Sequence, residues 1–232
     1  MLISAAGLIV DVKPRYELLR SRVKEYICKK ELKADITIRV DDSFLIERQE
    51  KYPHLTLEEC EYIYTADIFY RELLSYNGFL LHASAVALEN KAYLFSAPSG
   101  TGKSTHTSLW LQHFHEKAEI INDDKPAIRL IDGVFYACGT PWSGKTDENK
   151  NKQVPLKAIA YIKRNQDNYI NKADPKKAIK YILEQTIRPS AYQSMDKLLF
   201  LLDKLLKEIP VFELHCNISK EAVLTAFNEM SI

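Results

Sequence analysis

The sequence predicts an α/β protein of the α+β type, in which a mixed, largely antiparallel sheet carries a phosphate-binding loop and flanking helices. Three observations lead to this prediction. The apolar runs FLLHASAVAL and KAYLFSA are joined by only Glu89-Asn90, which is typical of a β-hairpin. Asp132-Gly133, between AIRLI and VFYAC, favours a second hairpin. KAYLFSA leads directly into the glycine-rich segment SAPSGTGKST, which precedes a helical pattern.

The first third of the chain predicts a small α+β lobe over residues 1–77. Residues 2–10 favour a strand, and the apolar spacing in PRYELLRSRVKEYICKK favours a helix. DITIRV and SFLIE resemble short strands. Thr56 followed by Glu59 forms a capping box before a longer helix, and Gly78 suits the left-handed stop after it.

Residues 78–232 predict the phosphate-loop domain. A helix begins near Lys103, and AEIIN predicts a strand that ends at Asp123 and Asp124. PLKAIAYIKR and PVFELHC predict further strands, while PKKAIKYILEQTI, DKLLFLLDKLLKEI and KEAVLTAFNEM predict helices, the first and last capped by Asp174 and Ser219. Because hairpins dominate, we expect a sheet unlike the parallel βαβ sheet of ordinary P-loop NTPases.

Composition narrows the classes of function. The chain has 232 residues, of which 46% are hydrophobic, and a formal net charge of +1, whereas nucleic-acid binders usually carry a large basic excess. The four cysteines form no CxxC pair, so we expect free thiols rather than zinc ligands. The apolar N-terminus lacks a basic start and is too short to span a bilayer. We therefore expect a cytoplasmic protein with no nucleic-acid or membrane partner.

The segment SAPSGTGKSTHTSLW carries most of the visible chemistry. Gly100 and Gly102 allow positive φ, so successive backbone amides can turn toward one anion. Lys103 adds a positive charge for the β- and γ-phosphates of a nucleotide, and the Ser104 hydroxyl suits Mg²⁺. Ala97 replaces the first glycine of the usual GxxxxGK[ST] pattern. The predicted nucleotide-binding residues in this loop are Ser99, Gly100, Thr101, Gly102, Lys103, Ser104 and Thr105.

Two adjacent carboxylates, Asp123 and Asp124, end the strand that follows the phosphate-loop helix. Buried-strand carboxylates are costly unless their charge is used. One acid in this place commonly holds Mg²⁺, and the other could accept a proton from an attacking hydroxyl. The alternative interpretation is a polar turn, since DDKP also has turn composition.

Other candidate residues carry weaker signals. His82 lies in an apolar strand beside the loop strand, where it is either a satisfied core residue or a catalytic group. GTPWSGK is either a plain loop or a basic loop that directs Lys145 at the nucleotide. His106 and Trp110, on the phosphate-loop helix, are expected to pack or stack. Arg188 is a candidate phosphate partner.

Two stretches, LLHASAVALENKAYLFSAPSGTGKSTHTSLW and IINDDKPAIRL, resemble the catalytic domain of the bacterial HPr kinase/phosphorylase superfamily, which is related to ATP-dependent phosphoenolpyruvate carboxykinase. GTPWSGK and VPLKAIAYIKR extend the resemblance toward small HPr-kinase-like proteins found beside peptide-modification genes. The resemblance implies that the phosphate loop binds nucleotide and Mg²⁺. It also implies that Asp123 is the catalytic base, that Asp124 and Ser104 bind the metal, and that His82 lies near the base.

Two functions remain open at the level of sequence. The first is an ATP- and Mg²⁺-dependent kinase, with Asp123, His82 and Lys103 as catalytic residues, that phosphorylates a serine-type hydroxyl on a peptide, protein or small molecule. The second is a non-catalytic ATP-binding protein with a regulatory or assembly role. The sequence identifies no acceptor and leaves open whether the chain forms a homo-oligomer.

Overall fold

A computed structural model describes residues 1–29, 32–144 and 146–232. In the described residues, the N-terminal lobe combines a small sheet with α-helices. The sheet contains β1 (Leu2–Ala5), β2 (Leu8–Val12) and β3 (Ile36–Ile38), and the helices are α1 (Glu17–Arg22), α2 (Asp42–Lys51) and α3 (Leu57–Glu72). The predicted capping box is present, because the Thr56 side chain accepts from the Glu59 amide and the Glu59 side chain accepts from the Thr56 amide.

The rest of the chain forms a larger sheet with helices on both faces. Its strands are β4 (Gly78–Leu80), β5 (Ala83–Leu88), β6 (Lys91–Ser96), β7 (Ala118–Asp124), β8 (Ala127–Ile131), β9 (Val134–Cys138), β10 (Gln153–Arg164), β11 (Tyr169–Lys172) and β12 (Val211–Cys216). Its helices are α4 (Lys103–Phe114), α5 (Pro175–Glu184), α6 (Tyr192–Glu208) and α7 (Lys220–Met230).

The large sheet is mixed and mostly antiparallel, which confirms the predicted fold class. The order β7-β5-β6-β10-β12-β11 forms one part, and the first residues of the long β10 continue into β9, β8 and β4. The pairs β6–β10 and β10–β12 are parallel, whereas β5 is antiparallel to both β6 and β7. Both predicted hairpins are present, and Asp132 and Gly133 have the positive φ of 48° and 82° that such turns require.

Side chains that alternate along the strands supply two cores, one on each face of the sheet. On β5, Ala85 and Ala87 pack toward α5 and α6, whereas Val86 and Leu88 pack toward α4 and α7. A third cluster joins the lobe to the sheet, since Phe69 and Tyr70 of α3 pack with Trp142. The described helices include none that is long and apolar enough to cross a membrane.

Several predicted elements differ from those observed. Residues 2–10 form two strands, because the chain turns at Ala6 and Gly7 with φ of 50° and 74°. SFLIE is helical and belongs to α2, which the Asp41 side chain caps. The helix predicted after Pro14 is shorter than expected, and the last predicted residue, Lys30, lies outside the described residues. Asn77 supplies the left-handed residue before β4, so Gly78 is not the stop. The strand β11 was not predicted.

Candidate active site

The carboxyl ends of four strands meet at one edge of the large sheet. Because β6 and β7 are both antiparallel to β5, they run in the same direction, and Ala83 pairs with both Ser96 and Asp124. The parallel strands β10 and β12 end at the same edge, where Arg164 pairs with Cys216. This geometry places the segment after β6 beside the acidic pair at the end of β7. Ligands of open α/β sheets bind at such edges.

A cavity of about 940 Å³ opens at this edge. It is bordered by residues 99–106 of the phosphate loop and helix α4, and by His82, Asp123 and Asp124 at one end. Its other end is bordered by the last residues of β10 and β12 and by the residues that follow them. The structure thus brings the predicted loop residues, both aspartates and His82 to one cavity.

The phosphate loop has the backbone that its glycines predict. Gly100 and Gly102 have φ of 77° and 119°, a region in which residues with a Cβ are strained. Gly102 is the residue before α4, so the amides at the start of that helix and its dipole face the cavity. Ala97 is fully buried and packs in the cluster that contains Trp110, and its φ is not positive. An alanine is therefore tolerated where the usual pattern has glycine.

Lys103 is 7% exposed, and its Nζ donates to the Ala97 carbonyl at 3.1 Å. Burial lowers the pKa of Lys103 from its ordinary value, and the negative charges of Asp124 and Asp123 act in the opposite direction. The ammonium group is thus oriented across the loop and close to the acidic pair. That is a suitable place for a cation that meets phosphate oxygens.

Asp124 is held as a carboxylate by its neighbours. His82 Nε2 donates to Asp124 Oδ1 at 2.8 Å, and Lys125 Nζ pairs with Asp124 Oδ2. Burial raises the pKa of Asp124, but the hydrogen bond from His82 and the charge of Lys125 outweigh it and hold the pKa below its ordinary value. The residue also has φ of 96°, and non-glycine residues in that region often occur at functional sites.

Asp123 differs from its neighbour in its contacts. The residue is 3% exposed, and Oδ2 accepts from Thr146 Oγ1 at 3.1 Å. Oδ1 is buried and has no hydrogen-bond partner among the described residues. A buried, unpartnered carboxylate oxygen is costly unless a ligand or a proton satisfies it. Asp123 therefore borders the cavity with one buried carboxylate oxygen that has no partner among the described residues.

His82 lies between β4 and β5 rather than inside one strand, which corrects the sequence prediction. The break is stabilised by the segment after α5, because the His82 amide donates to the Gln185 carbonyl at 2.7 Å. His82 Nδ1 and Gln185 Oε1 are 3.0 Å apart. Both ring nitrogens are thus occupied, one by Gln185 and the other by Asp124, so the ring orientation is fixed.

Three contributors to the site were not predicted. Arg164, at the end of β10, donates from Nε to the Thr101 carbonyl at 2.9 Å and also contacts the Gly100 carbonyl. Thr146 contacts Asp123, and Gln185 contacts His82. KAIAYIKR contains the signal for Arg164, a basic residue at a strand end, but only the β6–β10 pairing shows where it points.

The other residues that sequence analysis singled out have different outcomes. His106 is buried, Trp110 Nε1 donates to its Nε2 at 3.1 Å, and burial lowers its pKa to about 4. The expected packing role of His106 and Trp110 is thus confirmed. Arg188 is exposed, outside the residues that border the cavity. Lys145 lies outside the described residues, so its predicted contact with nucleotide stays a prediction.

The oxygen donors beside the loop fit a hard divalent cation. Ser104, Asp123 and Asp124 border one cavity, and each carries a side-chain oxygen. The described residues contain no group of three or more His, Cys, Asp or Glu side chains placed to hold a metal ion. Mg²⁺ commonly binds through one or two carboxylates together with substrate phosphates and water, so this donor set suits it.

Comparisons with known proteins add little to this geometry. No protein-family model and no curated protein matches the chain. Among solved structures, the Hpr(Ser) kinase/phosphatase from Coxiella burnetii is similar over 65% of this chain and 95% of its own, with 12% sequence identity and a TM-score of 0.37. That likeness is too distant to support an assignment of function.

Proposed function

We propose that this protein is an ATP- and Mg²⁺-dependent phosphotransferase that transfers the γ-phosphoryl group to a hydroxyl. The observation that carries the proposal is the unpartnered, buried Oδ1 of Asp123, a residue that borders the same cavity as the phosphate loop. A protein that only binds nucleotide needs the loop and a metal donor. It has little need of a second, desolvated carboxylate oxygen beside them.

In the proposed phosphoryl transfer, each of these groups has a separate role. The loop amides and Lys103 bind and orient the phosphates, which is most of what such a reaction requires. Mg²⁺, held by Ser104 and Asp124, would neutralise negative charge on the phosphate oxygens. Asp123 Oδ1 would accept the proton of the attacking hydroxyl. The lowered pKa of Asp124 supports this division, because it favours a permanent negative charge over proton uptake.

His82 orients Asp124 rather than the acceptor. Its Nε2 hydrogen bond fixes one carboxylate oxygen, and Gln185 fixes the ring from the other side. A fixed carboxylate presents its charge without reorganisation when the cation binds, which favours catalysis by positioning. We therefore propose that His82 is a positioning residue for Asp124 rather than the catalytic residue that sequence analysis suggested.

The far end of the cavity suits a nucleoside. Leu109, Ile162 and Ile218 supply apolar surface to the cavity, and Asn165 and Asn217 are polar residues that border it. Ile218 is 77% exposed and borders the cavity, so a ligand bound at this end would cover its apolar surface. This combination of apolar surface and a few polar groups is typical of small-molecule sites. It supports ATP over inorganic polyphosphate as the donor.

We propose the chemical class of the acceptor from the chemistry of the site alone. A base beside the γ-phosphate position serves an alcohol, so we propose a serine-type hydroxyl on a peptide, a protein or a small metabolite. Incubation with labelled ATP and fractionated lysate, followed by identification of the labelled species, would identify it. A non-catalytic ATP-binding role is the alternative that the next experiment excludes or supports.

The amide variants Asp123→Asn and Asp124→Asn test the proposal. Asp123→Asn keeps the shape of the side chain but removes the proton acceptor, so Mg·ATP should still bind while transfer falls roughly a hundredfold. Asp124→Asn removes charge beside the cation, so Mg²⁺-dependent binding and turnover should both fall. Calorimetric titration of Mg·ATP and a turnover assay are required for each variant.

The outcomes separate the alternatives. Equal loss of binding in both variants would show that both carboxylates hold metal and that the base lies elsewhere. Full turnover in both would overturn the proposed active site. Mg·ATP binding by the wild-type protein without transfer to any acceptor or to water would favour the non-catalytic role.

A further inference from the structure

The position of Asp123 depends on the loop between β9 and β10. The Gly144 amide donates to the Asp123 carbonyl at 2.6 Å, and the Asp123 amide donates to the Glu148 carbonyl at 2.9 Å. Thr146 Oγ1 donates to Asp123 Oδ2 at 3.1 Å. Both backbone groups and one carboxylate oxygen of Asp123 are therefore fixed by this loop, and Oδ1 has no partner among the described residues.

The N-terminal lobe in turn holds this loop. Arg22, at the end of α1, donates to Ser143 Oγ at 3.2 Å and forms an ion pair with Asp147. On α3, the Tyr62 hydroxyl donates to the Ser143 carbonyl at 2.9 Å and accepts from the Ser143 amide at 2.6 Å. Contacts from two lobe helices thus converge on the residue that precedes Gly144.

Two further lobe contacts extend along the same loop. Tyr26 is 1% exposed and donates from its hydroxyl to Asn149 Oδ1 at 2.5 Å. Trp142 stacks on Phe69 of α3 with ring centroids 4.6 Å apart, and its Nε1 donates to Thr65 Oγ1. The lobe therefore contacts the loop on both sides of the residues that touch Asp123.

Arg22 is the charged member of this set and is itself largely buried. Its side chain is 12% exposed, and its guanidinium lies 5.6 Å from the centre of the Tyr62 ring. Exposed ion pairs usually contribute little, but a buried arginine with several partners fixes geometry. By contrast, Arg20 on the same helix is half exposed, and its side chain bonds to Glu17 and to the Arg15 carbonyl, within the lobe.

We propose that the N-terminal lobe is a working part of the active site and that Arg22 is a positioning residue for Asp123. It acts through Ser143 and Asp147 on Gly144 and Thr146, which contact the aspartate. This inference rests on the proposed role of Asp123 as the base. It assigns the lobe a function in catalysis in addition to any contact with an acceptor.

The test uses three variants of the full chain. Arg22→Met removes the charge and the contacts with Ser143 and Asp147, Arg22→Lys keeps the charge but not the planar guanidinium, and Arg20→Met is the control on the same helix. Three measurements are made on each: hydrogen–deuterium exchange, calorimetric binding of Mg·ATP, and phosphate release from ATP with water as acceptor.

We expect Arg22→Met to increase exchange in the peptide that covers residues 139–149 and to leave the affinity for Mg·ATP within about twofold. Phosphate release should fall roughly ten- to a hundredfold, the usual effect of a misplaced catalytic group. Exchange and phosphate release in Arg22→Lys should lie between those of Arg22→Met and those of the wild type. Arg20→Met should match the wild type in all three measurements.

Unchanged exchange in that peptide, or unchanged phosphate release in Arg22→Met, would overturn the inference. A uniform rise in exchange across the chain would also overturn it, because it would indicate general destabilisation. Failure of the proposed function gives a different result. In that case the wild-type protein would not bind Mg·ATP or Asp123→Asn would keep full phosphate release, while exchange would still report whether Arg22 holds the loop.

Discussion

Lys103 shows how one residue joins the fold to the proposed chemistry. It begins α4 after a left-handed glycine, and its side chain returns across the loop to the Ala97 carbonyl. The ammonium group is therefore desolvated before any ligand arrives, which lowers its pKa. A phosphate that reaches the loop meets a cation that is already oriented, at little entropic cost.

Lys103→Ala should largely abolish stabilisation of the protein by Mg·ATP. At a ligand concentration a hundredfold above Kd, binding contributes about 2.7 kcal/mol to the free energy of unfolding. For a chain of this size that corresponds to a rise in Tm of roughly 5–10 °C, which the variant should lose. Thermal denaturation of the wild type and the variant, with and without Mg·ATP, measures this loss of Tm shift. Lys117→Ala, an exposed residue beyond the end of α4, is the control, and an undiminished shift in Lys103→Ala would exclude the loop as the binding site.

Sequence analysis named the residues of the candidate site that lie close together in the chain, and the structure brings them to one cavity. The loop glycines, Lys103 and the two aspartates are recognisable because their spacing follows a strand, a turn and a helix that are adjacent in the chain. Arg164 and Gln185 were not recognisable, since they reach the site only through the β6–β10 pairing and the break at His82. Residues that come from distant parts of the chain leave no local pattern.

The same distinction holds at the level of elements. Hairpins were predicted well because their turn residues have specific backbone requirements, as at Asp132-Gly133. SFLIE was misassigned because five residues are too few to separate a helical from an extended period, and Leu45 is the buried residue of α2. The turn at Ala6-Gly7 was missed because alanine rarely has positive φ.

The ends of β10 and β12 lead to a prediction about the nucleoside. Ile218→Ser removes exposed apolar surface from the far end of the cavity without adding charge. The affinity for ATP should fall by about tenfold, or roughly 1.4 kcal/mol, whereas the affinity for inorganic tripolyphosphate should not change. Calorimetry with both ligands measures the difference. Leu199→Ser on α6 is the matched control, and an equal loss for ATP and tripolyphosphate would contradict a nucleoside at this end.

In the molecule as a whole, a hydrophobic core lies at the boundary between the lobe and the larger part of the chain. Sequence analysis divided the chain into residues 1–77 and 78–232, and that division stays a prediction. The hydrophobic cluster that contains Phe69 and Tyr70 also contains Ala127, Cys138 and Trp142 from the second part. Separation of the two parts would expose this apolar surface to water, which is unfavourable. We therefore expect the lobe and the sheet to unfold together.

The two tryptophans allow this expectation to be tested. Trp142 lies in the shared cluster, whereas Trp110 lies between α4 and the sheet in the cluster that includes α7. In the single-tryptophan variants Trp110→Phe and Trp142→Phe, urea unfolding is followed by fluorescence and by far-ultraviolet circular dichroism on the same sample. Comparing the two signals within each variant removes the effect of the substitution on stability itself.

For one cooperative unit the two curves coincide in both variants. If the lobe unfolds first, the Trp142 fluorescence curve precedes the circular dichroism curve in Trp110→Phe, and the Trp110 fluorescence curve follows it in Trp142→Phe. That result would make the lobe a separate domain.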